Sequence, residues 1–226
     1  MYEKFGQFID GKWSPSSNKE TYEVINPATE EVLGQASKAT SDDVDRALKS
    51  AEKGLQVWKK TPPWQRSNIL RKIADKIREK KDVFAKWMTL ENGKPLAEGV
   101  GETNGAADIF EWNAEETKRI YGQTIESRFE DTRVHVYYQP VGVVAALSPW
   151  NFPLILAARK ISTALGAGCS VIIKPDTITP GVVMELVDIC RECGVPPGAV
   201  NLLSGDPPSI ASQLIQSDIF KKISIT

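Results

Sequence analysis

Strand-like and helix-like segments alternate from residue 133 to residue 226, and this alternation constrains the fold more than any other feature. The predicted strands are RVHVYYQP, VGVVAAL, SVIIKP, VNLL and KKISIT, and the predicted helices begin at Pro153, at Pro180 and near Pro208. Strands that alternate with helices imply right-handed crossovers and a parallel sheet. The runs VVAAL and VII contain no polar residue, as is typical of strands covered on both faces. The pattern therefore predicts half of a doubly wound, Rossmann-like α/β domain.

The residues before this region predict strands first and helices afterwards. Residues 7–40 contain short β-type pieces separated by turn signals, which we interpret as strands or hairpin arms at a surface. Ser41 is the predicted cap of a first helix, and a second begins near Trp64. A third predicted helix ends at Gly93, and a fourth covers GAADIFEWNAEETKRI. The charged outer faces of these helices are explained by a solvated surface.

Composition excludes several classes of partner. The chain has 226 residues, 41% of them hydrophobic, so it can bury a substantial core. Lys and Arg number 28 against 29 for Asp and Glu, which leaves no basic field to hold a phosphate backbone. The apolar stretches are too short to span a bilayer, so we expect neither nucleic acid nor membrane as a partner. The start of the sequence shows no export or transit signal, and the expected location is the cytoplasm.

The three cysteines do not resemble the framework of a disulfide scaffold, since their number is odd. Cys190 and Cys193 form a CxxC pair, but Cys190 falls at helical spacing with apolar residues. That spacing favours buried packing over redox chemistry. His135 is the sole histidine, and together with one CxxC it provides too few ligands for a structural zinc site. The sequence predicts no metal site.

Two polar side chains lie where neighbouring predicted strands end. Asn151 follows the strand at 143–147 and precedes the helix that begins at Pro153, while Lys174 ends the next strand. In an open parallel sheet, ligands bind outside the carboxyl ends of the strands. Both side chains are therefore expected in one crevice. The alternative roles are a helix cap for Asn151 and a solvated strand end for Lys174.

Three segments of this region, SPWNFP, ARKISTALGAGCSVIIKPDTITP and GVPPGAVNLLSGD, resemble the aldehyde dehydrogenase superfamily in their order and spacing. The resemblance extends from INPATEEVLG to KKISIT and implies a truncated aldehyde dehydrogenase fold. In that family the asparagine of PWNFP donates its side-chain amide to the oxyanion that forms when a cysteine thiolate attacks the aldehyde. The resemblance implies this role for Asn151, at the rigid entrance of a helix where a donor can be preorganised.

The resemblance also implies a cofactor, NAD or NADP. Lys174 matches the lysine that hydrogen-bonds the adenosine ribose. Thr177 stands where NAD-preferring relatives commonly have a glutamate that repels the 2′-phosphate, so NADP is admitted more readily, whereas the neighbouring Asp176 adds a negative charge. The other residues that the resemblance assigns to the cofactor side are Ser148, Pro149, Trp150 and Gly205.

Arg159 raises the question of the substrate. It lies eight residues after Asn151, which corresponds to roughly 12 Å along a helix. The succinate-semialdehyde branch of the family resembles this sequence at the Arg-Lys pair, and there the arginine binds the far carboxylate of the substrate. Lys160 matches a lysine often found near the reacting centre. The alternative role for Arg159 is an ion pair on the helix surface.

The resemblance divides the chain into three parts: 1–123, the N-terminal β-arm and helices of the cofactor domain; 124–140, bridging strands used in oligomerisation; and 141–226, an incomplete Rossmann-like part. Family members are dimers or tetramers, so a homodimer or homotetramer is expected, acting on a small-molecule aldehyde. The family's nucleophilic cysteine and water-activating glutamate lie beyond Thr226. We therefore expect a fragment of a longer dehydrogenase, inactive alone. The alternative is a non-catalytic module that binds a nucleotide or a partner.

Overall fold

A six-stranded sheet lies at the centre of the structure, a computed structural model that describes residues 2–226. The strands, in chain order, are β1 (Gln7–Ile9), β2 (Lys12–Ser14), β3 (Thr21–Ile25), β4 (Val32–Ser37), β5 (Gln123–Glu126), β6 (Arg133–Val136), β7 (Val143–Leu147), β8 (Ser170–Lys174), β9 (Val200–Leu202) and β10 (Phe220–Ile225). The helices are α1 (Ser41–Trp58), α2 (Pro63–Glu79), α3 (Lys81–Asn92), α4 (Leu96–Thr117), α5 (Pro153–Gly166), α6 (Pro180–Glu192) and α7 (Pro207–Gln216).

The central sheet has the order β10-β7-β8-β9-β1-β2 and is mixed. Strands β10, β7, β8 and β9 are parallel, which confirms the predicted parallel sheet, whereas β1 pairs antiparallel with β9 and with β2. The prediction of a surface arm was wrong for β1, because all three of its residues are buried. Phe8 lies opposite Leu202 and packs into the core, and the buried Gln7 side chain bonds to backbone groups of Ser37 and Ser204.

Alternate residues of the central strands face opposite sides of the sheet, as the period of a strand requires. Val144 and Ala146 of β7 join a core cluster with residues of α2 to α6, whereas Val143 and Ala145 join a second cluster with residues of α1 and α7. Helices therefore cover both faces, and the predicted doubly wound arrangement is confirmed.

The order of the parallel strands reverses between β7 and β10. From β7 the chain passes through α5 to β8 and through α6 to β9, with both helices on one face. It then crosses to the other face through α7 and returns to β10 beside β7. The carboxyl ends of β7 and β10 consequently border a topological switch point, where open α/β sheets bind their ligands.

Two of the predicted helix boundaries were wrong. The cap of α1 is Thr40 and not Ser41, because Thr40 and Asp43 form a capping box in which each side chain bonds to the other's backbone N–H. Helix α4 begins at Leu96, well before the predicted GAADIF segment. Its early glycines hide the helical pattern, and Gly99 has a packing reason, since a Cβ there would lie 3.0 Å from the Ala85 Cα of α3.

The remaining strands form two separate two-stranded antiparallel sheets, β3 with β4 and β5 with β6. The β5–β6 hairpin is exposed along nearly its whole length. Among the helices of residues 2–226, none combines the length and apolar character that a membrane span requires.

Candidate functional site

Asn151 and Lys174 follow adjacent parallel strands at the same edge of the sheet. Leu147, the last residue of β7, lies opposite Lys174, the last residue of β8. The Ser148 N–H donates to the Lys174 carbonyl at 3.2 Å, which extends the pairing by one residue. The segment that carries Asn151 therefore leaves the sheet beside Lys174, as the sequence predicts. The expectation that both side chains share one crevice was wrong, because Asn151 does not line the cavity that contains Lys174.

The Asn151 side chain does not cap α5. The cap residue of this helix is Phe152, which makes no side-chain capping bond. Asn151 is exposed, and its amide side chain makes no hydrogen bond to any residue of the described chain. Only its backbone carbonyl is bonded, accepting from Lys94 Nζ at 3.0 Å. The amide N–H groups are therefore available to a ligand.

Glu102 of α4 caps α5 from outside the helix. Its Oε1 accepts hydrogen bonds from the N–H groups of Leu154 at 2.9 Å and Ile155 at 3.1 Å, two of the free donors of the first turn. Its other oxygen pairs with Lys94, which lies in the turn between α3 and α4. Sequence reasoning missed both residues, since nothing in the local pattern connects them to a helix more than fifty residues away.

Glu91 plays the same part for α6. Its carboxylate accepts from the N–H groups of Gly181 at 2.7 Å and Val182 at 3.1 Å, and the Tyr2 hydroxyl donates to it. Burial raises the pKa of Glu91 to about 7, against the hydrogen bonds that lower it. Burial also raises the pKa of Tyr2, and the charge of Glu91 adds to the effect. One helical hairpin, α3 with α4, thus supplies the caps of both crossover helices that flank the strand ends.

Lys174 points into a cavity of about 360 Å³ at the switch point. The residue is only 4% exposed, and among residues 2–226 its ammonium has no hydrogen-bond or ion-pair partner. Burial lowers its pKa to about 8, while the nearby charges of Asp176 and Asp206 act in the opposite direction. The residues that line the cavity are Leu147, Ser148, Pro149, Lys174, Asp176, Pro207, Pro208, Ala211, Ile225 and Thr226.

The donor set of this cavity suits a hydroxyl-bearing ligand with an apolar body. The Ser148 Oγ is buried and has no hydrogen-bond partner in the described part of the chain, so two polar groups, Ser148 and Lys174, await partners. Leaving such groups unpaired costs free energy that a ligand would recover. Pro207, Pro208 and Ile225 provide apolar walls. A nucleoside fits this combination, because its ribose carries hydroxyls and the flat face of its base can pack against apolar walls.

Of the other predicted cofactor residues, Asp176 and Pro149 line the cavity. Asp176 Oδ1 also accepts from the Ile178 N–H at 3.2 Å, which fixes the turn after β8. Thr177 and Trp150 do not line it, and Trp150 is 51% exposed. Gly205 lies just before α7 with φ of 143°, and a Cβ there would lie 2.8 Å from the Ala39 nitrogen. The structure therefore gives Gly205 a packing reason besides its predicted cofactor role.

Arg159 lines a different cavity, of about 550 Å³, beside β7 and β10. Its exposed guanidinium forms no ion pair with the described residues, so the alternative of a surface ion pair is not observed. Lys160 lines the same cavity but is buried, and its Nζ donates to Thr226 Oγ1 at 2.6 Å. Burial lowers the pKa of Lys160, and the charge of Arg159 adds to this effect.

None of the three cysteines lines the cavity that contains Lys174, whereas Cys169 lines the cavity of Arg159. Cys190 is fully buried on the core face of α6, as predicted, and burial raises its pKa, with the neighbouring Cys193 adding to the shift. Burial likewise raises the pKa of the half-buried Cys193. Cys169 precedes β8, at the end of the strand opposite to Lys174. Among residues 2–226, no cluster of three or more His, Cys, Asp or Glu side chains could hold a metal ion.

Comparison with known proteins agrees with this arrangement. Residues 13–226 match the sequence model of the aldehyde dehydrogenase family. The glutarate-semialdehyde dehydrogenase of Pseudomonas aeruginosa is 39% identical over 97% of this chain and 45% of its own length. The succinate-semialdehyde dehydrogenase [NADP(+)] GabD of Escherichia coli is 39% identical over 96% of this chain and 45% of its own length.

A crystal structure of an NADP-dependent enzyme of Escherichia coli superposes with a TM-score of 0.97 at 38% identity, covering 100% of this chain and 47% of that one. The chain thus spans slightly less than half the length of the relatives that it matches. The match covers the sheet, its crossover helices and the strand ends that carry Asn151 and Lys174. This chain belongs to the aldehyde dehydrogenase family.

Proposed function

We propose that this chain is the N-terminal portion of an NAD(P)-dependent aldehyde dehydrogenase that oxidises an aldehyde bearing a distal carboxylate. One observation carries the proposal: the unbonded Asn151 amide and the buried, unpaired Lys174 ammonium follow adjacent strands at the switch point of the sheet. The complete enzyme is the longer polypeptide that contains this chain together with a segment equivalent to the other half of its relatives' length.

In the proposed reaction, Asn151 stabilises charge. A cysteine thiolate adds to the aldehyde carbon, the carbonyl π electrons move to oxygen, and the Asn151 Nδ2–H donates to the resulting oxyanion. Such a donor is effective because it is already oriented before charge develops. With the cofactor bound as hydride acceptor, the oxyanion would collapse with loss of a hydride from its carbon and leave a thioester. Water would then hydrolyse the thioester to the acid and release the thiolate. The thiolate comes from outside residues 1–226, since Cys169, Cys190 and Cys193 lie away from Asn151.

The cofactor-binding residues of the proposal surround the switch-point cavity. Lys174 donates to the adenosine ribose hydroxyls, and the free Ser148 Oγ offers a second polar contact. Pro149, Pro207 and Pro208 contribute apolar contacts. The bound cofactor supplies the two-electron acceptor for the aldehyde. We include both NAD and NADP, because Lys174 favours a 2′-phosphate and Asp176 opposes it.

The proposed substrate class follows from Arg159. Its guanidinium is exposed and free of ion pairs within the described chain, and it lies on the same helix that Asn151 precedes. A guanidinium binds a carboxylate through two parallel hydrogen bonds. Two relatives are named for glutarate semialdehyde and succinate semialdehyde. Each of these aldehydes carries a carboxylate at the end far from the aldehyde group.

The test is aldehyde oxidation followed by cofactor reduction. The complete enzyme is expected to reduce NAD or NADP with succinate or glutarate semialdehyde, whereas the 226-residue chain alone is expected to be inactive, because it lacks the nucleophile. Turnover by the isolated, mass-verified chain would contradict the assignment of the nucleophile. A complete enzyme that binds nucleotide but oxidises no aldehyde would favour the non-catalytic module.

We further propose that the complete enzyme is a homodimer or homotetramer assembled through the β5–β6 hairpin. This hairpin pairs only with itself within residues 2–226 and exposes Ile125 and Val134 at 45% and 41%. A lone two-stranded sheet is marginally stable, and its free edges favour pairing with another chain. Light scattering at micromolar concentration is expected to give at least twice the monomer mass, and a monomer would contradict the proposal.

A further inference from the structure

The segment that carries Asn151 is held by a buried ion pair from another part of the chain. Lys94 Nζ donates both to Glu102 and to the Asn151 carbonyl, the latter at 3.0 Å. Glu102 in turn accepts from the N–H groups of Leu154 and Ile155. The Lys94 ammonium also lies 4.2 Å from the centre of the Phe152 ring. Four of the five residues from 151 to 155 thus contact this one pair.

The local sequence does not fix this segment by itself. Phe152 provides no side-chain cap, and Pro153 has no N–H to donate. The donors of Leu154 and Ile155 would lack acceptors without Glu102. Lys94 and Glu102 therefore hold the Asn151 backbone relative to α5 from outside, and Asn92 Nδ2 donates to the carbonyl of the preceding Trp150 at 3.0 Å.

The burial of the pair indicates a role in orientation. The Lys94 and Glu102 side chains are only 7% and 1% exposed. A buried ion pair contributes little to stability compared with apolar residues of the same size, because both charges lose their hydration. The hydrogen bonds and the ring contact described above instead join the pair to residues 151–155, the segment that presents the Asn151 amide.

We propose that Lys94 and Glu102 are positioning residues for the Asn151 amide. The inference rests on the proposed function, in which that amide donates to the oxyanion. An oxyanion donor acts only at a defined position, and a displacement of about 1 Å can lower a rate about a hundredfold. Neither residue is expected to touch the substrate.

The test is a double-mutant cycle in the complete enzyme. Glu102→Gln alone is expected to lower kcat roughly 10- to 100-fold, with the Kd for the cofactor changed less than about twofold. In an Asn151→Ala background the same substitution is expected to lower kcat less than about twofold, because the donor that it positions is gone. Independent, multiplicative losses in the two backgrounds would overturn the proposal.

Two further variants guard against misfolding and unspecific effects. Lys94→Met combined with Glu102→Gln replaces the charged pair by neutral residues of similar size, which folded cores tolerate, and it still removes the Lys94 donor from the Asn151 carbonyl. We expect kcat to fall about tenfold, and unchanged kcat would overturn the proposal. Glu185→Gln is the matched control. Glu185 is also buried and lies on α6, where it forms ion pairs of 3.0 Å with Lys4 and with Lys80. It is expected to leave kcat within about twofold, and an equal loss of kcat would overturn the proposal.

Hydrogen exchange measures the positioning without relying on activity. In Glu102→Ala, which removes the acceptor oxygens, the amides of Leu154 and Ile155 are expected to exchange faster, while those of α6 are unchanged. Unaltered exchange at both amides would overturn the inference even with an inactive enzyme. Failure of the proposed function gives a different result, because the wild-type enzyme would then oxidise no aldehyde, or Asn151→Ala would leave kcat unchanged.

Discussion

Asp176 and Lys174, two residues apart, line the same cavity at the carboxyl end of β8, so that a carboxylate and a buried ammonium share one binding space. The carboxylate opposes the depression of the Lys174 pKa that burial causes. A cofactor with a 2′-phosphate at this position would meet both the attractive and the repulsive charge. The balance between NADP and NAD is therefore expected to depend on Asp176.

Asp176→Asn in the complete enzyme is expected to raise the preference for NADP over NAD. Removing a like charge a few ångströms from a phosphate is worth about 1 kcal/mol in water-like surroundings, or about fivefold in the ratio of kcat/KM values. Asparagine keeps the oxygen that accepts from Ile178. Asp218→Asn is the control, because Asp218 is exposed, does not line the cavity and is not among the charges that act on Lys174. An unchanged ratio in Asp176→Asn would show that the 2′ position lies elsewhere.

Arg159→Ala is expected to raise KM for succinate semialdehyde while sparing an uncharged aldehyde of similar length. A charge-assisted contact made equally in the ground and transition states affects mainly binding. Its loss typically costs about 1.5 to 3 kcal/mol, or roughly ten- to a hundredfold in kcat/KM. Arg119→Ala, which removes an exposed arginine paired with Glu116 at 3.0 Å, serves as the control. Equal losses for charged and uncharged aldehydes would make Arg159 a structural residue.

The contribution of Glu91 to stability is expected to fall as pH rises. Its pKa in the folded chain, about 7, lies above the ordinary value of 4.5, so its contribution is complete below pH 4.5 and is lost through pH 7. The change amounts to about 3 kcal/mol, at about 1.36 kcal/mol for each pKa unit. Urea unfolding of this chain and of Glu91→Gln at pH 5, 6 and 7 measures the difference between them.

The same experiment on Tyr2→Phe provides a second check. The Tyr2 hydroxyl donates to Glu91 and lowers the pKa of that carboxyl. Removing the hydroxyl is expected to raise the pKa of Glu91, so that the pH-dependent loss of folding stability extends to higher pH. Parallel stability curves for wild type and Glu91→Gln between pH 5 and 7 would contradict this account of the α6 cap.

The ends of β7 and β8 and the starts of α5 and α6 could be predicted from the sequence because their signals are local. The apolar runs at 143–147 and 170–174 and the prolines at 153 and 180 mark where the chain leaves and re-enters regular structure. These positions alone indicated that the segments after β7 and β8, which carry Asn151 and Lys174, leave the sheet at the same edge. The role of β1 was not predicted, since nothing in Gln7–Ile9 specifies pairing with a strand nearly two hundred residues later.

The supports of the site were also beyond local reasoning. Glu91 and Glu102 lie in helices, and Lys94 lies in the turn between them, where the charges resemble an ordinary solvated surface. Their burial follows from how α3 and α4 pack against α5 and α6. The position of Asp176 at the Lys174 cavity depends in the same way on the turn after β8, in which its own side chain bonds to Ile178.

The most direct test of the account is the kcat of Asn151→Ala in the complete enzyme, measured alongside the Kd for the cofactor. Removal of one oxyanion donor is expected to lower kcat about 10²- to 10³-fold, with the cofactor Kd changed less than about twofold, because the cavity that contains Lys174 does not include Asn151. Asn151→Asp, which keeps the size but removes the N–H donor, is expected to lose at least as much. A kcat for Asn151→Ala equal to that of the wild type would contradict the role assigned to this amide.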